Sequence, residues 1–472
     1  MTVGAPSRPL TTRSATELAR AIGEREITAR EAVEAHIELL ERVQPRMNAL
    51  AAERFDAARD EADAADARVA SGEIDLPPLL GVPCTIKESI ALAGMPNCAG
   101  VVSRRDHRCA ETAPSAQRLL DAGAIPLGVT NTSELCMWIE CENRVYGRTR
   151  NAYDPSRIAG GSSGGEGAAV GSGGSPIGLG SDIGGSIRLP AFFNGVFGHK
   201  PSPGLVSNEA MYPNTDGEAE RLLAVGPLTR RAEDLMPALR AVAERDVAPL
   251  EAAPIEGMPV LVSLPPGRAP ASRDLLGARE RAAGALAAFG AQVERSPIRS
   301  LHRALDLYLA ALSDGAGTSV RAVLEQAGSA PPSLWAGLRR GGPHTVATRL
   351  LLGVEGLNSR IPQGRTRRAI AAGRSLAEEL IAAIGDGVLL HPPFARVAPR
   401  HGRTVGRPWL IAHMAIFNLA GLPVTQVPLG LDRRGLPLGV QVVAAPGNDH
   451  VTIATAIALE RALGGWVPPP RR

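Results

Sequence analysis

Lysine is almost absent from this chain. Of its 51 basic residues only Lys87 and Lys200 are lysine, and the other 49 are arginine. Arginine stays protonated in a protein, whereas a buried lysine can give up its proton and act as a base. The two lysines are therefore candidates for chemistry that arginine cannot perform. Aromatic residues make up only 3% of the 472 residues, too few for a base-stacking nucleic-acid surface. Neither charge sign is in excess: 51 basic against 48 acidic residues leave a net charge of +3, which excludes polyanion binding driven by bulk charge. No apolar run approaches the roughly 18 residues of a membrane-spanning helix. Residues Met1 to Ser14 carry Arg8 and Arg13 without an apolar core, so no secretory signal is expected. The five cysteines (Cys84, Cys98, Cys109, Cys136 and Cys141) are odd in number, and no two have C-x-x-C spacing. They read as reduced thiols of a cytoplasmic protein rather than a zinc site.

What is present is a helix-rich start followed by α/β units. Ser14 with Glu17, and Thr28 with Glu31, have capping-box spacing. Val33, Ile37, Leu40 and Val43 then keep a helical beat as far as Pro45. The Ala-rich, charged stretch from Asn48 to Ala70 reads as a further helix, broken by Leu76-Pro77-Pro78. Downstream, a helix, a glycine and a short β-rich run recur: Ser115 to Ala122, Gly123, Ala124 to Val129; Arg273 to Phe289, Gly290, Ala291 to Glu294; His413 to Ala420, Gly421, Leu422 to Pro428. Glycine closing a helix before a buried strand is half of an α/β unit. Pro259 to Ser263 completes a βαβ element with the second copy. Residues 240–360 lack marked motifs and read as helical cover and loops.

Between Gly160 and Gly185, 12 of 26 residues are glycine, but Val170, Ile177, Leu179 and Ile183 interrupt them, unlike a flexible linker. No G-x-x-x-x-G-K-[ST] or G-x-G-x-x-G phosphate loop occurs. Gly160-Gly161-Ser162-Ser163-Gly164 satisfies the G-x-S-x-G nucleophile elbow, yet none of the later histidines (His199, His302, His344, His391, His401, His413, His450) sits in a recognisable motif. The third option is a serine directly after a glycine pair. In Asp182-Ile183-Gly184-Gly185-Ser186-Ile187-Arg188 the glycines free the backbone to turn inward, so that the N–H groups of Ile183, Gly184, Gly185 and Ser186 could converge on one oxygen. Ser186 is then the nucleophile and Lys87 the candidate base.

Gly160-Gly161-Ser162-Ser163-Gly164-Gly165-Glu166-Gly167, followed by Gly184-Gly185-Ser186-Ile187-Arg188, resembles the hallmark of the amidase signature family, and Lys87 in Gly81-Val82-Pro83-Cys84-Thr85-Ile86-Lys87-Glu88 matches its lysine. Thr130-Asn131-Thr132-Ser133-Glu134-Leu135-Cys136-Met137-Trp138, Phe193 to Gly204 and the run from Gly421 to Trp466 look like the fatty acid amide hydrolase subgroup, second mammalian type. Unlike the mammalian enzyme, this chain shows no amino-terminal membrane segment. The resemblance implies a single large α/β domain, a mixed twisted β-sheet covered by α-helices on both faces. Residues 1–75 would be a helical segment packed on the core and 76–472 the amidase signature domain, continuous with it.

The resemblance also implies a Ser-Ser-Lys triad: Ser186 as nucleophile, Ser162 as bridging serine behind a cis peptide, and Lys87, deprotonated, as base. Asp182 and Arg188 are expected to form an ion pair supporting the loop, and Ser163 to hydrogen-bond within it. Met137 and Trp138 either line an acyl pocket or fill the core. Lys200 reads as packing a turn, and Cys136 and Cys141 as buried thiols. The function expected is a serine amidohydrolase cleaving fatty-acyl or aryl-acyl amides, and esters, through an acyl-enzyme. No metal or cofactor is expected; the partner is a small amide and not nucleic acid, with a homodimer as the assembly to test. The alternatives are a glutaminase-type amidotransferase subunit working with tRNA-linked partners, and a catalytically idle binding protein on the same scaffold.

Overall fold

In the computed structural model the described residues are 8–263, 270–312, 319–329, 342–358 and 363–470. The strands in chain order are β1 (Leu50–Glu53), β2 (Pro83–Lys87), β3 (Ile125–Thr130), β4 (Glu142–Asn143), β5 (Gly147–Arg148), β6 (Ile177–Asp182), β7 (Phe197–Lys200), β8 (Ala224–Thr229), β9 (Pro259–Ser263), β10 (Gln292–Ser296), β11 (Val388–His391), β12 (Val424–Leu431) and β13 (Pro437–Val443). Among the described residues eleven of them form one sheet in the order β1-β3-β2-β6-β8-β7-β12-β13-β11-β9-β10, while β4 and β5 make a small hairpin. The sheet is mixed. β2 runs parallel to β3 and β6, and β9 parallel to β10 and β11; the other pairs are antiparallel.

Alternation along the strands sends side chains to two apolar layers. In β11, Val388 and Leu390 join the main core while Leu389 joins a second cluster; in β13, Val440 and Val442 divide from Val443 in the same way. The main-core face is covered by the helices Arg273–Ala288 and Asp449–Leu463 through Leu275, Ala282, Ile453 and Leu459. The other face is covered by Ala304–Leu312, Gln363–Ile384 and Ala412–Leu419 through Leu307, Leu376, Leu380 and Ile416. The chain is thus a single α/β domain with helices on both faces.

Both capping boxes are formed: Ser14 caps Ala15–Gly23 and Thr28 caps Ala29–Met47, each with its glutamate returning to the cap amide. The second helix continues through Pro45 to Met47, past the point where its apolar beat stops. One element differs from the sequence reading. Residues 48–70 are not one helix: Asn48 adopts a left-handed conformation (φ 53°), Leu50–Glu53 pair antiparallel with β3, and the helix starts at Phe55. A four-residue strand with only Leu50 buried carries too short a pattern to stand out from an Ala-rich helix. Among the described residues no helix is long and apolar enough to cross a membrane.

Candidate active site

Thr130, Lys87 and Asp182 are the last residues of β3, β2 and β6, so three parallel neighbours end at one edge of the sheet. Functional loops of α/β proteins gather at such carboxyl ends. Behind them lies the helix Gly164–Gly171, seated on the sheet because β6 has no side chain at Gly178: a Cβ there would stand 2.0 Å from Glu166 Oε2.

Lys87 is fully buried, and its side-chain nitrogen lies 2.6 Å from Ser162 Oγ and 2.9 Å from Ser181 Oγ. The Gly161–Ser162 peptide is cis. The Ser162 carbonyl accepts from the Ser133 amide (3.2 Å) and from the Thr132 hydroxyl (3.0 Å), which holds the turn in place. The Ser163 amide donates to the Ser186 carbonyl at 3.3 Å, so the two serine loops lie side by side. The Ser163 hydroxyl donates to Ser181 O at 3.2 Å, a contact within the loop framework. Ser186 is partly exposed where Ser162 and Lys87 are buried, and its hydroxyl makes no hydrogen bond among the described residues.

Asp182 and Arg188 form a buried ion pair at 3.0 Å, with Nε and Nη2 of the guanidinium donating to the two carboxylate oxygens. Arg188 also donates to Gln441 Oε1 (2.8 Å), Met414 O (3.1 Å) and Asn418 Oδ1. Burial opposes ionisation of Asp182, but the Arg188 charge and the hydrogen bonds of Arg188 and Asn418 outweigh it and hold the carboxyl below its ordinary range. The same carboxylate corrects the reading of four converging amides. Gly185 N–H donates to Asp182 Oδ1 at 2.7 Å and Ile187 N–H to Oδ2 at 3.1 Å, so the Gly185 amide is committed elsewhere. The amides of Ile183, Gly184 and Ser186 carry no hydrogen bond among the described residues.

Met137 is half-buried and packs on an apolar cluster of Val101, Leu135, Val320, Val323, Leu324 and Leu352. Trp138 lies beside the serine turn: a Cβ on Gly161 would meet its carbonyl at 2.4 Å, and its indole donates to Thr404 Oγ1 at 3.1 Å. Cys141 is buried, and burial pushes its thiol up to about 11, but Cys136 is only half-buried, on a backbone of positive φ (58°) within reach of Thr132 Oγ1. Lys200 is buried and donates to Pro201 O at 2.9 Å; burial, then the Arg188 charge, bring it down to about 7.

Glu166 has no role that the sequence alone reveals. It accepts from Thr85 Oγ1 (2.6 Å) and Thr130 Oγ1 (2.8 Å), and burial pushes its carboxyl up to about 8 against the pull of those hydroxyls and of Lys87. Asn418 and Gln441 escape sequence reasoning too, lying more than two hundred positions from the residues they support. The arrangement as a whole offers a buried amine on a hydroxyl, a second hydroxyl on a partly exposed serine, and backbone amides beside it that are unpaired among the described residues. Those are the parts of an acyl-transfer site.

A site of this kind, at the carboxyl edge of a helix-covered mixed sheet, suits an acyl-transfer hydrolase of the α/β class, and the likenesses name the class as amidases. Residues 31–453 match the family described as Amidase. The chain is 42% identical to fatty-acid amide hydrolase 2-A of Danio rerio over 486 residues, 98% of this chain and 91% of that one. It is 32% identical to a glutamyl-tRNA(Gln) amidotransferase chain of Deinococcus radiodurans, covering 95% and 96% of the two chains. A crystal structure of an amidase superposes with a TM-score of 0.81 at 30% identity, over 96% of this chain and all of the other. The chain belongs to the amidase family and is an amidase.

Proposed function

We propose that the chain hydrolyses neutral, apolar carboxylic amides through an acyl-enzyme on Ser186. The observation that carries this reading is the 2.6 Å contact between the buried Lys87 amine and the Ser162 hydroxyl, on a turn bonded to the Ser186 loop. Unprotonated, Lys87 takes the Ser162 proton as Ser162 takes that of Ser186, and Ser186 Oγ attacks the amide carbonyl. The oxygen then carries negative charge beside the Gly184 and Ser186 amides, with Ile183 contributing from the loop's start. The relay returns a proton to the leaving nitrogen, the C–N bond breaks, and water releases the acid by the reverse path.

Three features support an apolar acyl group. The net charge of +3 gives little steering toward anions. The Met137 cluster supplies apolar surface near the serine turn, and the similarity to a fatty-acid amide hydrolase is higher than that to the amidotransferase chain, 42% against 32% identity. Five free thiols favour a cytoplasmic setting. The test is labelling with a fluorophosphonate and mapping of the adduct, with Ser186→Ala as control. An adduct on Ser186, lost in the variant along with amide hydrolysis, is expected. An adduct on Ser162 would overturn the assignment.

A further inference from the structure

The loop Ile183–Gly184–Gly185–Ser186 has to present N–H groups to an oxygen, and a glycine pair cannot hold that orientation by itself. The structure shows what fixes most of its peptide planes. The Gly184–Gly185 plane is set by the Gly185 amide on Asp182, at 2.7 Å. The Ser186–Ile187 plane is set from both ends, by Ser163 N–H on the Ser186 carbonyl and by Ile187 N–H on Asp182. The Ile183–Gly184 plane, which carries the Gly184 N–H, is held by a residue outside the motif. Tyr308, on the helix Ala304–Leu312 and 2% exposed, donates its hydroxyl to Ile183 O at 3.1 Å across 125 residues of sequence.

A trans peptide is planar, with its C=O and N–H pointing in opposite directions. The Ile183 carbonyl is directed at Tyr308, so the Gly184 N–H is directed away from it, and it has no hydrogen-bond partner among the described residues. Tyr308 fits flush against the loop: a Cβ on Gly184 would stand 2.5 Å from its oxygen and 3.1 Å from its Cζ. The phenol is locked in turn by its helix, which packs through Leu307 and Ala311 among Leu376, Leu380 and Ile416. Burial pushes the Tyr308 phenol up, so it remains a donor at working pH.

We infer that Tyr308 is a positioning residue for the oxyanion-binding loop, its hydroxyl turning the Ile183–Gly184 peptide so that the Gly184 N–H faces the oxygen of the attacked carbonyl. The inference rests on the reading of Ser186 as nucleophile. It gives the helical segment before the Gln363–Ile384 helix a direct purchase on the chemistry. The phenol is almost wholly buried and its hydroxyl is spent on Ile183 O, so binding should be spared while the transition state suffers.

The experiment is Tyr308→Phe in the full chain, with active sites counted by fluorophosphonate. Turnover of an apolar primary amide is measured beside the Ki of a trifluoromethyl ketone, whose serine adduct carries the same oxyanion. The expected result is a fall in kcat of about tenfold, short of the 10²–10³ typical for loss of a donor. KM should be unchanged, and Ki should rise by a factor like that of kcat. A general loosening of the fold would lower the count of active sites and leave Ki where it was, which would overturn the inference, as would an unchanged kcat. Gly184→Ala tests the same contact from the other side, since its methyl displaces the phenol oxygen: a parallel loss of turnover and of ketone affinity supports the role, and wild-type values overturn it. A wild-type protein not labelled at Ser186 would overturn the nucleophile reading itself, whatever Tyr308→Phe does.

Discussion

Replacing Asp182 by asparagine tests how the catalytic loop is supported, because the side chain keeps its shape and loses only charge and one acceptor. Asp182 Oδ1 accepts from Gly185 N (2.7 Å), Arg188 Nη2 (3.0 Å) and Asn418 Nδ2 (2.9 Å), and Oδ2 from Ile187 N (3.1 Å) and Arg188 Nε (3.0 Å). Whichever way the new amide turns, its NH₂ faces at least two donors. Arg188, wholly buried, is left with an uncompensated charge. Breaking a buried pair from one side typically costs about 3–5 kcal/mol. Freeing the Gly185 amide also loosens the loop, so kcat should fall in the same variant. The sign of the pH dependence follows from the depressed carboxyl: its folded value lies below the ordinary 3.8, so its stabilisation is present above pH 3.8 and lost as pH falls through the folded value. The variant should lack that part of the acid sensitivity. Urea unfolding of both proteins from pH 7 down to pH 2, with m-values compared, provides the measurement. A loss below about 1 kcal/mol at pH 7 with an unchanged m-value would refute the reasoning. Adding Arg188→Gln should restore part of the loss, since it removes the stranded charge.

Lys87→Arg retains a positive charge that cannot be given up, and kcat/KM should fall at least ~10²-fold; Lys87→Met should do the same without the larger head group, and near-normal turnover in a folded variant would remove lysine from the mechanism. Glu166, raised by burial from 4.5 to about 8, gives stability that is complete below pH 4.5 and lost as pH rises through about 8. Glu166→Gln should therefore flatten the melting temperature between pH 5 and pH 9, and an unaltered slope would show that the buried carboxyl is not its source. Along a series of primary amides from two to sixteen carbons, each CH₂ that enters an apolar pocket contributes up to about 0.8 kcal/mol, so five methylenes at half efficiency raise kcat/KM about thirtyfold. A flat profile would reject the fatty-acyl preference while leaving amide hydrolysis in place, and chelator should alter nothing.

The fold was legible where the sequence carries its own punctuation. Ser14 and Thr28 announce their helices because the capping glutamates sit three residues away, and both boxes form. The strand–helix alternation around Pro259–Ser263 and Arg273–Ala288 follows from apolar runs closed by glycine. β1 was illegible because Leu50–Glu53 becomes a strand through pairing with β3, some 75 residues on, rather than through a pattern of its own. Tertiary pairing overrides the propensity of an Ala-rich stretch.

The candidate site divides along a similar line. Lys87 stands out by rarity of type, Ser162 and Ser186 by their glycines, and Asp182 and Arg188 by proximity to them. Each of those signals is read from the sequence itself, by a count over the chain for Lys87 and by near neighbours for the other four. Tyr308, Asn418 and Gln441 carry no comparable mark: a tyrosine in the helix sequence Ala304–Leu312 looks like any half-apolar helical residue until the helix is docked. Yet it is these distant groups that give the loop its orientation, through Ile183 O, Asp182 O and the Arg188 guanidinium. A glycine-rich loop makes this division necessary. The freedom that lets its amides turn toward an oxygen removes any local preference for that turn. The preference must then be imposed by neighbours whose contacts exist only in the folded chain, so a short motif can declare the reacting atoms but not the geometry that makes them react.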